Sequence, residues 1–250
     1  MKTIVSLTSF PARIDIVAAV VKTMLAQTVS ADKVVLYLTL SQFPDKRIPE
    51  ALSVLRRENQ RFEVRFYEKD IRSFTKLIPA LDEFPDDRII TVDDDTIYPH
   101  DLIENLMRTP EQSATNRVCA RRVRYIKGDI YKKWHSIRGW MKPFCRAASF
   151  RYLPTGVGGV LYPPHCLHED VARDDIFMRI CPTADDLWFW AMATLNGVKI
   201  AVAGGDTATP SYSGSQRESL AAINCGVNNA NNEAFAHILR AYPELLKFIR

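Results

Sequence analysis

The chain has 250 residues, a formal net charge of +4, 47% hydrophobic residues and 25% charged residues. This composition is typical of a soluble globular protein, and it excludes a disordered chain, a collagen-like chain and a disulfide-rich scaffold. No apolar run reaches the roughly 18 residues that indicate a transmembrane helix. The five cysteines show no C-x-x-C spacing, which argues against structural zinc and a disulfide set and favours the cytoplasm.

The first hundred residues alternate between expected strands and expected helices. Apolar residues spaced along one helical face predict the first helix, and apolar β-branched runs predict the strands. The strands are expected at 3–7, 33–40, 62–67 and 88–92, and the helices at 14–25, 49–59 and 74–84. Such alternation predicts βαβ units, and therefore an α/β fold with a mostly parallel central sheet flanked by helices.

The second half of the chain is less regular. Its expected strands are 118–126, 155–162 with a glycine-rich entry, and 198–203; its expected helices are 101–108, 184–195 and 232–248, the last interrupted at Pro243. Long loops are expected at 127–151 and 204–231. We interpret residues 1–250 as a single domain.

Positive charge is concentrated between residues 117 and 151. This basic segment holds eleven Lys or Arg residues, one acidic residue and six aromatic residues. A basic, aromatic-rich stretch favours an anionic partner, which would be nucleic acid, a phospholipid surface or a substrate that carries phosphate. The alternative is a solvated loop with aromatic residues packed beneath it.

Three consecutive carboxylates, Asp93, Asp94 and Asp95, follow the fourth expected strand. Adjacent carboxylates repel one another, so a cation is expected beside them. Asp93 and Asp95 are expected to point to one side, because side chains alternate along a strand. Their oxygens suit Mg²⁺ or Mn²⁺, with a diphosphate completing the ligand shell. The alternative is an acidic turn that caps the helix at 101–108.

A strand that ends in Asp-x-Asp after a βαβαβ half resembles the nucleotide-sugar-dependent glycosyltransferases of the GT-A fold. Further stretches are similar to a bacterial group of these enzymes that is linked to capsule or lipopolysaccharide assembly. These stretches are LTSFPARI (7–14), KVVLYLTLSQFP (33–44), DIRSFTKLIPAL (70–81), FPDDRIITVDDDTIYP (84–99), TGVGGVLYPP (155–164) and CPTADDLWFWAMATLNG (181–197).

The resemblance implies that residues 1–99 bind nucleotide and metal and that residues 100–250 bind the acceptor. The implied donor is a nucleoside-diphosphate sugar, first of all a UDP-sugar, with Mn²⁺ or Mg²⁺ held by Asp95 and Asp93. Implied donor-binding residues are Thr8, Ser9, Arg13, Asp70, Lys76, Asp93, Asp94, Gly158 and Gly159. From the residues alone, Arg13 and Lys76 could equally be solvated side chains, and Asp70 could be a helix cap.

Two acids, Asp185 and Asp186, open the helix expected at 184–195. The helix dipole alone accounts for one of them. The resemblance implies that Asp186 is the general base and that Asp185 binds or orients the acceptor, with the order of the two left open. Trp188 and Trp190 either stack on sugars or belong to the core.

The resemblance implies transfer of a hexosyl group, with inversion, to the hydroxyl of a saccharide or lipid-linked saccharide, in surface polysaccharide or lipopolysaccharide biosynthesis. The basic segment and the apolar, basic tail at 238–250 suggest contact with an anionic membrane, at the inner face of the cytoplasmic membrane. The alternatives are a nucleotidyltransferase that makes a nucleotide sugar, an inactive carbohydrate-binding relative, and a nucleic-acid-binding module. No nucleic acid is expected, since that last alternative leaves both acid groups without a role.

Overall fold

The computed structural model describes residues 1–108, 117–128, 134–138, 147–204 and 230–249. Its strands are β1 (Thr3–Thr8), β2 (Lys33–Thr39), β3 (Phe62–Tyr67), β4 (Arg88–Thr91), β5 (Val118–Ala120), β6 (Arg122–Tyr125), β7 (His135–Arg138), β8 (Tyr152–Pro154), β9 (Val160–Tyr162) and β10 (Ile200–Val202). Its α-helices are α1 (Val17–Leu25), α2 (Glu50–Glu58), α3 (Ile78–Glu83), α4 (Leu102–Met107), α5 (Asp174–Ile180), α6 (Asp185–Leu195), α7 (Ala230–Ala241) and α8 (Leu246–Ile249).

Seven strands form one sheet in the order β10-β5-β9-β4-β1-β2-β3. The pairs β1–β2, β1–β4, β2–β3 and β5–β10 are parallel, whereas β9 runs antiparallel to β4 and β5. Both halves of the chain therefore contribute strands to one sheet. The predicted α/β fold, with a mostly parallel central sheet flanked by helices, is confirmed.

The sheet is buried on both faces. Ile4 and Tyr37 belong to one core cluster, which includes the buried side chains of α6, whereas Val5 and Leu36 belong to a second cluster with those of α1, α2 and α4. Neighbouring residues of a strand point to opposite faces, so continuous apolar strands supply both cores. This explains why the N-terminal strands are nearly uninterrupted hydrophobic runs.

The segment expected to be a helix at 74–84 begins differently. A 3₁₀ turn covers Arg72–Lys76, and α3 begins only at Ile78. Arg72 enters this turn with a φ of 54°, a backbone region that L-residues seldom adopt, and Pro79 occupies the first turn of α3, where proline is well tolerated. Lys76 therefore lies in a tight buried turn rather than on a solvated helix.

The strand expected at 118–126 divides in two. β5 belongs to the large sheet, whereas β6 belongs to a second, antiparallel sheet of order β7-β6-β8. β7 falls inside the segment expected to be a loop, and helix α5 has no counterpart among the expected elements. Of the two expected loops, residues 129–133, 139–146 and 205–229 lie outside the described residues.

The C-terminal tail packs inward. Ile238 of α7 and Leu245 in the 3₁₀ turn at Pro243–Leu245 are fully buried, and the ring of Phe248 lies 4.5 Å from that of Phe150. The interruption at Pro243 is confirmed. Within the described ranges, no helix has both the length and the apolar character that crossing a bilayer requires.

Candidate functional site

The candidate site lies where the order of the parallel strands reverses. The chain proceeds from β1 outward to β2 and β3, and then returns to the other side of β1 with β4. In open α/β sheets, ligands bind in the crevice beyond the carboxyl ends of the strands at such a point. Because β9 is antiparallel, with Val160 opposite Thr91, the residues that precede β9 reach the same crevice.

The acidic turn after β4 is neutralised by Arg13. Its Nη1 lies 2.9 Å from Asp94 Oδ1 and 3.1 Å from Asp95 Oδ2, and the Ser9 hydroxyl donates to Asp94 Oδ2 at 2.6 Å. Burial raises the pKa of the Asp94 carboxyl, although Ser9 and Arg13 oppose this shift. The loop after β1 and the acidic turn after β4 are thus joined by charged hydrogen bonds.

Asp93 faces a different cation from Asp95. Lys76 Nζ lies 3.0 Å from Asp93 Oδ1, while the amide of Asp93 donates to the Tyr98 hydroxyl at 2.8 Å. The expectation that Asp93 and Asp95 point together is therefore wrong, because β4 ends at Thr91 and the three acids lie in a turn where strand alternation no longer applies.

Lys76 links the acidic turn to helix α6. Its Nζ also lies 2.9 Å from Asp185 Oδ2, and Ser6 of β1 donates to its carbonyl oxygen at 2.6 Å. Burial opposes the charge of Lys76, but Asp185, Asp93 and Asp186 outweigh burial and hold the pKa of Lys76 well above its ordinary value. Lys76 is therefore a permanent buried cation between two carboxylates, and not a solvated side chain.

The two acids that open α6 have different surroundings. Asp185 is buried and accepts a hydrogen bond from the Ser73 hydroxyl at 2.9 Å in addition to its pair with Lys76. Asp186 is less buried, and the amide of Gly156 donates to both of its carboxylate oxygens, at 3.0 and 3.2 Å. Asp185 is thus committed to Lys76, whereas Asp186 is oriented by a backbone amide.

The surroundings of Asp186 raise the pKa of its carboxyl. Its pKa is raised to about 7, first by burial and then by the repulsion of Asp185 and Asp93, against the lowering effects of Lys76 and the Gly156 amide. A carboxyl whose pKa lies near physiological pH is suited to accept a proton during catalysis.

The glycine-rich entry to β9 contributes a residue that the sequence did not single out. A Cβ on Gly156 would lie 2.7 Å from Lys76 Nζ and 3.0 Å from Asp93 Oδ1. Gly158 instead lies against Arg122, and Gly159, with a φ of 79°, lies against Leu102. Gly156 thus faces the charged cluster, whereas the donor-binding role expected for Gly158 and Gly159 stays a prediction.

The remaining expected donor residues, Thr8 and Asp70, have partners other than the charged residues of this cluster. Thr8 donates from its hydroxyl to the Tyr37 carbonyl at 2.9 Å. Asp70 is exposed and accepts hydrogen bonds from Gln42 Nε2 at 2.9 Å and from the Arg72 amide at 3.2 Å. Asp70 thus holds the first residue of the 3₁₀ turn that carries Lys76, although Ile71 and not Asp70 occupies the N-cap position of that turn.

Trp188 and Trp190 belong to the core. Both are fully buried, and their indole N–H groups donate to the carbonyl oxygens of Val171 at 3.0 Å and Phe150 at 2.7 Å. Stacking of either ring on a sugar is therefore excluded, and these residues serve to fix α6 beneath the charged cluster.

The chemistry of the acidic turn fits a divalent cation in part. Carboxylate oxygens are suitable ligands for Mg²⁺ and Mn²⁺. However, Asp94 and Asp95 already pair with Arg13, and nowhere in the described part of the chain do three His, Cys, Asp or Glu residues form a ready metal-binding group. Asp95 and Asp93 would hold a cation only together with oxygens of a bound diphosphate.

Several chains of known structure share this fold. A mannosyltransferase, PcManGT from Pyrobaculum calidifontis in complex with GDP-Man and Mn²⁺, has a TM-score of 0.58 at 14% identity, over 96% of this chain and 64% of that chain. Residues 1–349 of S. aureus TarS give 0.57 at 13% identity, over 97% and 72%, and are also known in complex with UDP. A CMP:2-keto-3-deoxy-manno-octonic acid synthetase complexed with CTP gives 0.51 at 13% identity, over 84% and 92%.

No protein-family model and no curated protein matches the sequence. At identities of 13–14% the structural likenesses establish the fold alone. That fold is the GT-A-like α/β fold expected from the sequence, and the structures that share it include a mannosyltransferase bound to a nucleotide sugar and a synthetase bound to a nucleotide.

Proposed function

We propose that this protein is a glycosyltransferase that moves a hexosyl group from a nucleoside-diphosphate sugar to a saccharide hydroxyl. The observation that carries the proposal is a charged cluster at the carboxyl ends of the strands, in which the buried Lys76 ammonium pairs with Asp93 and Asp185 and the Gly156 amide orients the neighbouring Asp186 carboxylate. Lys76 is suited to stabilise a diphosphate leaving group, and Asp186 is suited to accept a proton.

The proposed reaction is a single in-line displacement. The acceptor hydroxyl oxygen attacks the anomeric carbon, the bond from that carbon to the diphosphate oxygen breaks, and the hydroxyl proton passes to Asp186. Such a displacement inverts the anomeric centre and forms no covalent intermediate with the enzyme. Gly156 keeps the Asp186 carboxylate in one orientation through its amide, and Asp185 keeps Lys76 in place.

The proposed donor is a nucleoside-diphosphate sugar, with a UDP-sugar as the first choice, and the proposed metal is Mn²⁺ or Mg²⁺. Support comes from the oxygen ligands in the acidic turn and from fold relatives that are known with UDP or with GDP-Man and Mn²⁺. A bound divalent cation would supply positive charge to the diphosphate. Asp95, with Asp93, would hold it, while Thr8, Ser9 and Asp70 are proposed to line the nucleotide.

The proposed acceptor is a saccharide or lipid-linked saccharide in surface polysaccharide or lipopolysaccharide assembly, used at the inner face of the cytoplasmic membrane. The apolar tail residues Ile238 and Leu245 are buried, so contact with an anionic membrane would rest on basic side chains such as Lys247 rather than on insertion. Co-sedimentation with anionic vesicles, falling away with added salt, would support this, whereas equal binding to neutral vesicles would not.

Nucleotidyl transfer is the second candidate, because the fold is shared with a synthetase complexed with CTP. Transfer to a sugar phosphate uses a nucleophile that is already ionised and would give Asp186 no proton to accept, whereas transfer to a sugar hydroxyl would use Asp186 as a base. The raised pKa of Asp186 therefore favours glycosyl transfer only over nucleotidyl transfer to a sugar phosphate.

A direct assay separates the two candidates. The purified protein would be incubated with UDP-glucose or GDP-mannose and saccharide acceptors, and separately with nucleoside triphosphates and sugar phosphates. Release of UDP or GDP with a glycosylated product supports the proposed transferase, and release of pyrophosphate supports the nucleotidyltransferase. A preceding thermal-shift screen of nucleotides, with and without Mn²⁺, selects the donor, because a ligand that binds only the folded state raises the unfolding midpoint.

A further inference from the structure

The guanidinium of Arg13 occupies the charge-neutralising position between Asp94 and Asp95. Its Nη1 contacts one oxygen of each carboxylate, at 2.9 and 3.1 Å, and the side chains are only 12%, 8% and 11% exposed. Solvent and salt screen such pairs much less than pairs on the surface. Arg13 therefore already supplies the positive charge that a divalent cation would bring to this turn.

Arg13 is held in this position by more than its two ion pairs. The centre of the Phe10 ring lies 5.4 Å from its guanidinium carbon. The Ser9 hydroxyl donates a hydrogen bond to the second oxygen of Asp94, Oδ2, at 2.6 Å. Both Asp94 oxygens are thus engaged by residues of the loop after β1. A cation that approached Asp94 and Asp95 would have to displace these contacts or be repelled by the guanidinium.

Lys76 does not compete in the same way. Its ammonium group pairs with Asp93 and with Asp185 of α6, so its charge is shared between the acidic turn and a carboxylate outside it. Arg13 instead extends from a turn ahead of α1, on a long side chain that can change partner without a change in the sheet. The ion pairs of Arg13 are with Asp94 and Asp95 of the acidic turn, whereas an ion pair of Lys76 reaches α6.

We propose that Arg13 is an internal counter-cation that competes with divalent metal for Asp95, the acid that would hold the metal, and that a nucleoside diphosphate relieves this competition by offering Arg13 a second anionic partner. The proposal rests on the proposed function, because it takes the acidic turn as the metal site. According to this proposal, bound nucleotide strengthens metal binding, and bound metal strengthens nucleotide binding by the same factor, because a coupling free energy between two ligands acts equally on both.

The test is a Mn²⁺ titration, followed by calorimetry or by the electron paramagnetic resonance signal of free Mn²⁺, of the wild-type protein and the Arg13→Gln variant. Each is titrated alone and with saturating UDP or GDP. Without nucleotide, Arg13→Gln is expected to bind Mn²⁺ about tenfold more tightly, the effect of removing one competing charge contact. The factor by which the nucleotide strengthens Mn²⁺ binding is expected to shrink in the variant.

Arg57→Gln is the matched control. It removes the same charge from an exposed pair with Glu50 on α2, and it should leave Mn²⁺ affinity unchanged. If Arg13→Gln does not fold, Arg13→Lys replaces it, because it retains the charge but loses the planar fork, and an intermediate gain in Mn²⁺ affinity is expected.

Mn²⁺ affinity that is unchanged or lower in the Arg13 variant overturns the inference, as does an absence of Mn²⁺ binding to both proteins. These outcomes differ from failure of the proposed function. A wild-type protein that transfers sugar while its Mn²⁺ affinity does not depend on Arg13 refutes the competition alone. A protein that binds no nucleotide and no nucleotide sugar, with or without Mn²⁺, refutes the proposed function itself.

Discussion

The amide of Gly156 donates to both carboxylate oxygens of Asp186, at 3.0 and 3.2 Å. One N–H group that faces both oxygens fixes the plane of the carboxylate without neutralising it. Hydrogen bonding to the charged form lowers a carboxyl pKa, yet burial and the nearby acids leave that of Asp186 at about 7. Gly156 therefore orients a carboxylate that still accepts a proton near neutral pH.

Replacement of Gly156 by alanine should disrupt the charged cluster. The added Cβ would lie 2.7 Å from Lys76 Nζ and 3.3 Å from Asp186 Oδ1, so both groups would have to shift. We expect a loss of transfer rate on the order of 10²-fold, the size of effect that a displacement of about 1 Å can produce in a catalytic site. The measurement is kcat for sugar transfer together with nucleotide-sugar affinity.

The matched control is Gly204→Ala. Among the described residues, no heavy atom lies within 4 Å of the position that a Cβ on Gly204 would take, and Gly204 has no positive φ, so its replacement should change neither the transfer rate nor the stability of the fold. A Gly156→Ala variant that transfers sugar as fast as the control would show that the cluster tolerates displacement, and that Gly156 has no positioning role.

Asparagine substitutions should separate the acidic turn from the base. Asp186→Asn should keep nucleotide-sugar binding and lose transfer by about 10²–10⁴-fold, because a general base acts on the chemical step. Asp95→Asn should abolish Mn²⁺-dependent binding of the nucleotide sugar, because a metal ligand acts before and during that step. The measurements are calorimetric affinity with and without Mn²⁺, and single-turnover transfer.

Two results would contradict these assignments. Transfer at near the parent rate by Asp186→Asn would move the base role to Asp185, whose carboxylate lies 2.9 Å from Lys76 Nζ. Metal-dependent binding that survives in Asp95→Asn would remove the acidic turn from the metal site.

The transfer rate should depend on the ionisation of Asp186. Only the deprotonated carboxylate accepts a proton, and its pKa is about 7. The rate constant for transfer is therefore expected to rise about tenfold per pH unit below pH 7 and to level off above it. Single-turnover measurements between pH 5 and pH 9 test this, and a rate constant that is flat between pH 5 and pH 7 would contradict the assignment.

Most of the sheet was predictable from the sequence because its strands are buried on both faces. The run Lys33–Thr39 is almost entirely apolar, and no helix with one polar face has that pattern. Residues 118–126 were predicted as one strand, whereas the chain leaves the large sheet after β5 and enters the small sheet with β6. The hydrophobic pattern does not change at Arg121, so it could not indicate this break. Helix α5 was not predicted because its seven residues are too few to show a helical period, although Asp174 and Asp175 lie in its first turn.

The acids and the lysine of the site were predictable as residue types at strand ends and helix starts. Their partners were not, because these depend on how distant segments meet. The pairing of Lys76 with Asp185 joins residues 109 positions apart, and that of Arg13 with Asp94 joins residues 81 positions apart. Gly156 was missed because only its distance from the charged cluster distinguishes it from Gly158 and Gly159.

Removal of Lys76 should cost stability as well as diphosphate affinity. From the sequence alone, Lys76→Ala is expected to weaken diphosphate binding by about 1–3 kcal/mol with the fold intact, the range for a charge-assisted hydrogen bond. Since Lys76 is a buried cation between Asp93 and Asp185, Lys76→Met leaves carboxylates uncompensated, and we expect it to lower the free energy of unfolding by about 3–5 kcal/mol. Urea denaturation measures this.

The control is Lys69→Met, which breaks an exposed pair with Asp174 and should lower stability far less than Lys76→Met does, because solvent screens the charges of a surface pair. The double variant Lys76→Met with Asp185→Asn should recover part of the loss, because it removes a carboxylate together with its cation. A Lys76→Met protein as stable as the control would show that water reaches the cluster and replaces the ammonium group.

The raised pKa of Asp186 also predicts that the fold becomes less stable as pH rises toward 7. Between the unfolded value of 3.8 and the folded value of about 7, the folded state holds a proton that the unfolded state has lost, so stability falls with rising pH and levels off above 7. Asp186→Asn has no proton to lose, so its free energy of unfolding, relative to wild type, should be higher at pH 8 than at pH 5.

Asp175, whose pKa is lowered by Arg173, is ionised in both states at both pH values, and Asp175→Asn should show the same difference from wild type at each. If Asp186→Asn also showed no pH dependence relative to wild type, the Asp186 carboxyl would have an ordinary pKa, and the case for it as a base at neutral pH would fail with it.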